Sequence, residues 1–215
     1  MTISEQLFAE YCRRNGLHCE RVPEAQDRKT ADYCLNCDGA KVYVEVKQVD
    51  PSPVDVEHSK ALARGELVTS SRTPGQRLRD HLREAASQLR AYTRAGHPGP
   101  VIAYDNTGFG YLDSYEVLTA MFGLQSVVFA VPHDPSIEPW HVGDRFGAQQ
   151  TTTPKQNTSI SAVGVLAQGL EGLTLAIFHN KYARVRLDPA RFHCGARHFA
   201  LPGGETKNFQ EWVEI

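Results

Sequence analysis

The sequence predicts an α/β protein, and two observations support this fold class. Segments with helical periodicity alternate with strand-like segments along residues 1–131. The 215 residues are 41% hydrophobic and 22% charged, which is the ordinary composition of a globular protein. A chain of this length buries about 70% of the surface that its unfolded form exposes, so we expect one sizeable core that needs no disulfide or metal support.

The chain opens with a predicted helix and a predicted β-hairpin. Apolar residues recur at helical spacing over residues 3–15, and an Asn-Gly pair then stops the helix. Residues 31–36 and 41–49 are typical of two strands, and the Asp-Gly pair between them favours a tight turn. In the second strand, KVYVEVKQV, valines alternate with other residues, so Glu45 and Lys47 share one face of the strand.

The middle of the chain continues the alternation of strands and helices. Residues 50–74 are polar and rich in proline, and so long a connection predicts a functional loop. The apolar residues of 75–95 follow the spacing of an amphipathic helix. A strand over 99–106, a helix over 112–124 and a buried strand over 126–132 complete the predicted α/β core.

The last third of the chain has a different character. Residues 132–158 are rich in Pro, Gly, Thr and Gln without periodicity, which predicts a long loop. Residues 159–166 and 173–180 then predict a second β-hairpin. We therefore expect a core over 1–131 and a loop and β-rich extension over 132–215, which packs on the core as part of one domain.

Composition and charge exclude several functional classes. A formal net charge of −2 excludes a wholly basic protein of the histone kind. No stretch approaches the roughly 20 apolar residues of a membrane helix, and no signal-peptide run opens the chain. We expect a cytoplasmic protein with reduced thiols and no membrane partner. The glycine-rich phosphate loops of nucleotide-binding enzymes are absent.

Three charged residues of the first hairpin predict a site. Asp32 lies on its first strand and Glu45 and Lys47 on its second, so strand pairing can bring two carboxylates and an ammonium together. Carboxylate oxygens are the ligands that Mg²⁺ prefers. Lys47 beside such a cation could position an attacking water and neutralise charge on a phosphate. The alternative is an ordinary exposed ion pair, which contributes little.

The segment ADYCLNCDGAKVYVEVKQ resembles motifs II and III of the PD-(D/E)xK nucleases, the restriction-endonuclease-like superfamily. The resemblance covers residues 1–131 and departs at Ala31, where the motif usually has a proline that shapes the backbone. It implies a restriction-endonuclease-like core with a central mixed sheet flanked by helices. It also implies a nuclease that uses Mg²⁺ or Mn²⁺ and acts on nucleic acid, with DNA expected, through Asp32, Glu45 and Lys47.

The same resemblance implies four further site residues. Many members carry a metal-binding acid on the first helix, which here is Glu10, with Glu5 as a competing candidate. The Val46 carbonyl is expected as another metal ligand, beside the two carboxylates of the hairpin. ASQLRAY is similar to the QxxxY motif of the RecB-like branch, which places Gln88 and Tyr92 on one helix face toward the active site. The alternative is that Tyr92 is a core residue.

A local excess of positive charge predicts the nucleic-acid contact. From Lys60 to His97 eight basic residues stand against three acids, on a chain whose overall charge is negative. The predicted phosphate contacts are Lys60, Arg64, Arg72 and Arg77. Nothing in this stretch indicates base readout, so we expect little sequence specificity. A solvated helix face rich in arginine is the alternative.

Other interpretations stay open at this point. Cys34 and Cys37 form a C-x-x-C pair that could hold zinc if two more ligands joined it. The candidates for those ligands are His193, Cys194 and His198. A second alternative is a non-catalytic module that retains the nuclease fold and binds nucleic acid or protein, although the intact acidic and basic residues of the hairpin argue against it. The sequence leaves the oligomeric state open, a homodimer included.

Overall fold

A computed structural model describes residues 1–25, 29–170, 172–192, 195–202 and 210–215. The helices in this part of the chain are α1 (Ile3–Arg14), α2 (Pro53–Ala63), α3 (Gln76–Arg94) and α4 (Ser114–Phe122). The strands are β1 (His18–Arg21), β2 (Tyr33–Cys37), β3 (Ala40–Val49), β4 (Val101–Asp105), β5 (Gln125–Ala130), β6 (Trp140–Phe146), β7 (Ala162–Gly169), β8 (Gly172–His179), β9 (Arg197–Ala200) and β10 (Val213–Glu214).

Eight of these strands form one mixed sheet, in the order β1-β2-β3-β4-β7-β8-β9-β10. The central strands β3, β4 and β7 are parallel, whereas the β2–β3 and β7–β8 pairs are antiparallel. This arrangement confirms the predicted α/β class and the mixed sheet. The predicted second hairpin, β7–β8, continues the central sheet beside β4, so residues on both sides of position 131 contribute to the same sheet.

The predicted first hairpin is confirmed as β2 and β3. Asp38 and Gly39 form its turn with φ values of 50° and 80°, and two consecutive positive φ angles are what a tight type I′ hairpin turn requires. The alternation along β3 then sorts its residues between two layers. Val42, Val44 and Val46 pack in the cluster that contains α1, whereas Tyr43 packs in the cluster that contains α3.

The predicted amphipathic helix is confirmed as α3. Leu78, Leu82, Ala85 and Leu89 of its apolar stripe are fully buried in a cluster with residues of β4 and β7, and Tyr92 at its end is partly buried. The helix runs antiparallel to β3, because Glu84 contacts Lys47 and, further along, Tyr92 contacts Tyr43. At 19 residues α3 is the longest helix, and no helix in the described ranges is both long and apolar enough to cross a membrane.

Residues 50–74 are not one long loop, because α2 lies within them. Ser52 caps this helix by accepting a hydrogen bond from the Asp55 N–H, while the Asp55 side chain accepts one from the Ser52 N–H. Pro53 takes the first helical position, where its missing N–H has no consequence. This capping box was readable in the sequence, but the weak apolar periodicity of α2 obscured it.

The strand predicted over residues 126–132 is confirmed as β5, but its predicted burial in the core and the predicted loop over 132–158 were wrong. The segment predicted as a buried strand is β5, which pairs with β6 in a separate two-stranded sheet, and β6 lies inside the predicted loop. Phe129 and Trp140 of this hairpin are 57% and 53% exposed. A short apolar run does not reveal which strand will pair with it, so the local pattern could not distinguish a core strand from this outlying pair.

Candidate active site

Asp32 immediately precedes β2 and faces the backbone of β3. Its Oδ2 accepts a hydrogen bond of 2.8 Å from the Val46 N–H, and its own N–H donates to the Val44 carbonyl. Burial raises the pKa of Asp32, although the Val46 N–H opposes that effect. Asp32 is therefore a partly buried carboxylate that the hairpin backbone holds in place, with only one oxygen engaged by that bond.

Glu45 is the most buried acid of this group, with a side chain that is only 2% exposed. Burial, followed by the negative charge of Asp32, raises the pKa of Glu45 to about 7, while Lys47 and Gln88 act in the opposite direction. Its Oε2 is buried and has no hydrogen-bond partner among the described residues. The two carboxylates thus repel each other in a largely buried environment, and one oxygen of Glu45 has no hydrogen-bond partner among the described residues.

Lys47 is the cation of this group. Its Nζ lies 3.0 Å from Glu45 Oε1 and 3.2 Å from Glu84 Oε2, and it donates a hydrogen bond of 3.2 Å to Gln88 Oε1. Burial disfavours the charged ammonium, but the attraction of the two glutamates outweighs it and raises the pKa of Lys47. Lys47 is therefore a charged, oriented ammonium within direct reach of Glu45.

The two residues of the QxxxY motif have different environments. Gln88 reaches the site, where it accepts from Lys47 and donates to the Thr30 carbonyl at 3.5 Å. Tyr92 lies one helical turn further on, and its ring stacks on Tyr43 with centroids 3.9 Å apart. The structure thus brings Gln88 to the carboxylates and leaves Tyr92 in the packing position that was the alternative.

The first helix contributes Glu5 rather than Glu10 to the surroundings of Asp32. Glu10 accepts hydrogen bonds from Arg13 and Arg14 of its own helix. Glu5 is 11% exposed at its side chain, and its charge contributes to the raised pKa of Asp32. Five residues turn a helix by about 140° beyond one full revolution, so the two acids cannot share a face.

The donors available to a metal are two carboxylates and one carbonyl. No group of three or more His, Cys, Asp or Glu side chains that could hold a metal occurs within the described ranges. The Glu45 N–H bonds toward β4, whereas the Val46 N–H bonds toward Asp32. Because the N–H and C=O of one strand residue point to the same side, the Val46 carbonyl is also directed to the Asp32 side.

Two residues of α3 were missed as site residues. Glu84 binds Lys47 directly, and its own pKa is lowered by that contact. The pKa of His81 is lowered by burial and then by the positive charge of Lys47. Positions 81, 84 and 88 follow the i, i+3, i+7 spacing of one helix face. Once Gln88 is assigned to the site, this spacing predicts that His81 and Glu84 also face it.

Each predicted phosphate contact on the α2–α3 segment is paired with an acid. The N–O distances are 2.8 Å for Lys60–Glu57, 2.6 Å for Arg64–Glu66, 3.5 Å for Arg72–Glu116 and 2.6 Å for Arg77–Asp55. The partners of Lys60, Arg72 and Arg77 lie outside the Lys60–His97 segment, which is why counting charge within it overestimated the free positive charge. Arg72 and Arg77 also stack on the Tyr111 ring.

Replacing Arg77 by glutamine is expected to lower the free energy of unfolding by about 1–2 kcal/mol at pH 7. Burial alone would raise the pKa of Asp55, but hydrogen bonds from Ser52, Arg77 and Tyr111 hold it well below its usual range. The folded state therefore gains stability from the ionised Asp55 above its unfolded pKa, and this gain disappears as pH falls. Urea unfolding at pH 7 and pH 3 measures both effects.

The matched control for that prediction is Arg83→Gln. Arg83 is on the same helix, but its ion pair with Asp80 is exposed. Its replacement should change the free energy of unfolding by less than about 0.5 kcal/mol. Equal losses for Arg77→Gln and Arg83→Gln would contradict a structural role for Arg77.

The zinc alternative gains no support from the hairpin. Strand residues three positions apart face opposite sides of a sheet. Cys34 is paired with Tyr43, whereas Cys37 is buried in the cluster that contains α1. His193 and Cys194 lie outside the described residues, and His198 interacts with His179 through its Nδ1.

Comparison of the chain with protein-family models, with curated proteins and with solved structures finds no match. Two neighbouring carboxylates and a main-chain carbonyl suit a hard divalent cation, and an adjacent ammonium suits a phosphate.

Proposed function

We propose that this protein is a divalent-metal-dependent nuclease that hydrolyses phosphodiester bonds in DNA. The observation that carries the proposal is the buried Glu45 carboxylate, which has an unsatisfied oxygen beside Asp32 and an ammonium, that of Lys47, at 3.0 Å. Such an arrangement is unfavourable for folding alone, and strained electrostatics of this kind are typical of functional sites. The order Asp, then Glu-x-Lys, is also that of the PD-(D/E)xK motif.

The residues fit a Mg²⁺ or Mn²⁺ ion. Asp32, Glu45 and the Val46 carbonyl would hold it, and Mg²⁺ commonly uses one or two carboxylates and keeps several waters. When bound, such a cation polarises the phosphate and lowers the pKa of a coordinated water. Two observations support this assignment: Glu45 Oε2 has no hydrogen-bond partner among the described residues, and the pKa values of both carboxylates are raised. A bound cation would give the free oxygen a ligand and would favour the ionised form of both carboxylates.

The protein's own groups have distinct tasks in this proposal. Lys47 orients the attacking water and neutralises the charge that develops on the phosphate, because its ammonium is fixed within reach of Glu45. Gln88 positions Lys47 through its side-chain carbonyl. Glu84 helps to keep the ammonium charged, because its Oε2 lies 3.2 Å from Lys47 Nζ and raises the pKa of Lys47.

A non-catalytic module is the second candidate, and one observation favours it. The ammonium of Lys47 has three donors, and it has three acceptor partners in Glu45, Glu84 and Gln88. A fully engaged lysine is what a purely structural ion-pair network would contain. Catalysis would require Lys47 to exchange one of these partners for water or substrate.

A cleavage assay separates the two candidates. We expect the wild type to degrade DNA with Mg²⁺ or Mn²⁺ and to be inactive with EDTA. Linear duplex, circular duplex, single-stranded DNA and RNA should be tested in parallel, with Asp32→Asn as the inactive control. Binding of DNA without cleavage under every metal condition would reject the nuclease and favour the module.

A further inference from the structure

A small polar cavity lies on the far side of α3 from the carboxylates. It has a volume of about 170 Å³ and is bounded by the end of α3, the loop before β7 and the turn after β8. Four of its lining residues are basic: Arg90, Arg94, Lys155 and Arg184. The other lining residues are uncharged and polar, so the lining contains no acid. We call this cavity the basic pocket.

Hydrogen bonds fix the walls of the basic pocket. The Ser159 hydroxyl donates to the Ala86 carbonyl at 2.8 Å, which ties the loop before β7 to α3. The Arg184 N–H donates to the Thr158 carbonyl at 2.8 Å, which ties the turn after β8 to the same loop. The three elements that supply the cations are therefore held together before any ligand arrives, which reduces the entropy lost on binding.

The four cations of the basic pocket differ from Lys60, Arg77 and Arg83 of α2 and α3, each of which is paired with an acid. No carboxylate lies within 4 Å of any of them in the part of the chain that the structure describes. A favourable contact with the helix dipole explains a basic residue such as Arg94 in the last turn of α3. It does not explain Lys155 and Arg184, which come from two other elements.

We propose that the basic pocket binds a phosphate group. Four positive charges around a small volume repel one another, and an anion bound between them is attracted to all four and offsets that repulsion. Three of the four are arginines, whose planar donor groups match phosphate oxygens in pairs. The volume is below the roughly 300–1,000 Å³ of pockets for drug-sized ligands, so it suits a single phosphate or pyrophosphate group.

The phosphate can come from a DNA backbone or from a small phosphorylated ligand. The proposal that the pocket binds phosphate does not depend on the proposed hydrolysis. The proposal that DNA is the source of this phosphate does rest on the proposed function. Arg90 is only two residues beyond Gln88 on α3, on roughly the opposite side of the helix axis. A DNA bound at the carboxylates would have to extend across α3 to contact this side of the helix as well.

The test measures binding with the cleavage reaction stopped by EDTA. Pyrophosphate binding is followed by calorimetry, and binding of a fluorescent DNA duplex by anisotropy over a range of salt concentrations. The pocket variant combines Arg90→Gln, Arg94→Gln and Arg184→Gln. The matched control combines Arg13→Gln, Arg83→Gln and Arg191→Gln, which removes the same charge from exposed residues that are paired with acids.

The expected result is that the pocket variant loses pyrophosphate binding and the control retains it. If DNA supplies the phosphate, the pocket variant should also bind the duplex at least about tenfold more weakly. The slope of log K against log salt concentration should be smaller by about 2.7, because each of the three lost cations contributes about 0.9. Loss of pyrophosphate binding alone identifies a small phosphorylated ligand as the source. Thermal unfolding checks that each variant is folded. If the triple variant does not fold, the single variant Lys155→Gln replaces it, because Lys155 lies on an exposed loop.

Either of two results would overturn the proposal that the basic pocket binds phosphate. One is a wild type that binds neither pyrophosphate nor DNA, and the other is a pocket variant that binds both as the wild type does. A wild type that binds DNA through the pocket but never cleaves it would reject the nuclease proposal and leave the pocket standing.

Discussion

Replacing Lys47 by alanine is expected to reduce metal-dependent cleavage of DNA by about 10²- to 10⁴-fold. The variant lacks the ammonium that lies 3.0 Å from Glu45, and with it the charge that would orient water and stabilise the developing phosphate charge. DNA binding should change far less, because one cation among several contributes about one unit of salt slope. Cleavage rates at saturating DNA, together with binding measured in EDTA, separate the two effects.

Lys41→Ala is the matched control for Lys47→Ala. Lys41 lies on the same strand but is exposed, so its loss should leave cleavage within about threefold. Lys47 is only 13% exposed, and its removal leaves Glu45 without its cation, so we also expect a loss of about 1–3 kcal/mol in unfolding free energy at pH 8. Equal cleavage by wild type and Lys47→Ala would contradict the mechanism.

Replacing Glu45 by glutamine is expected to stabilise the protein at pH 8 and to abolish cleavage. Burial and Asp32 raise the pKa of Glu45 from 4.5 to about 7, so the folded state binds a proton more tightly than the unfolded state does. The contribution of Glu45 to stability therefore decreases as pH rises from about 4.5 to about 7, and the whole penalty is present above that range. Glutamine has no charge to bury, which should add about 1–3 kcal/mol at pH 8.

Denaturant unfolding of wild type and Glu45→Gln at pH 5 and pH 8 measures this effect. The advantage of the variant should appear at pH 8 and shrink at pH 5, where the wild-type glutamate is protonated. Mg²⁺ at about 100 times its dissociation constant should stabilise the wild type by about 2.7 kcal/mol, and the variant much less. A variant that is less stable than wild type at pH 8, or one that Mg²⁺ stabilises equally, would show that Glu45 is not a strained metal ligand.

The sequence determined the elements whose signals are local. The period-two pattern of β3, the Asp-Gly turn before it and the apolar stripe of α3 each depend on residues within a few positions of one another, and each was confirmed. The spacing of Glu45 and Lys47 already placed both side chains on one strand face. In the structure Lys47 Nζ lies 3.0 Å from Glu45 Oε1. The strand pairing that sets Asp32 beside β3 followed from the same turn.

Only the tertiary structure decided which partners meet across the chain. Pairing of Arg77 with Asp55, the approach of Glu84 to Lys47 and the outlying β5–β6 sheet all join segments with no common local pattern. Free positive charge could not be read from a count, because a basic residue is neutralised by whichever acid folding brings within a few ångströms. The basic pocket exists for the same reason: its cations come from three distant segments, and only packing places them around one cavity.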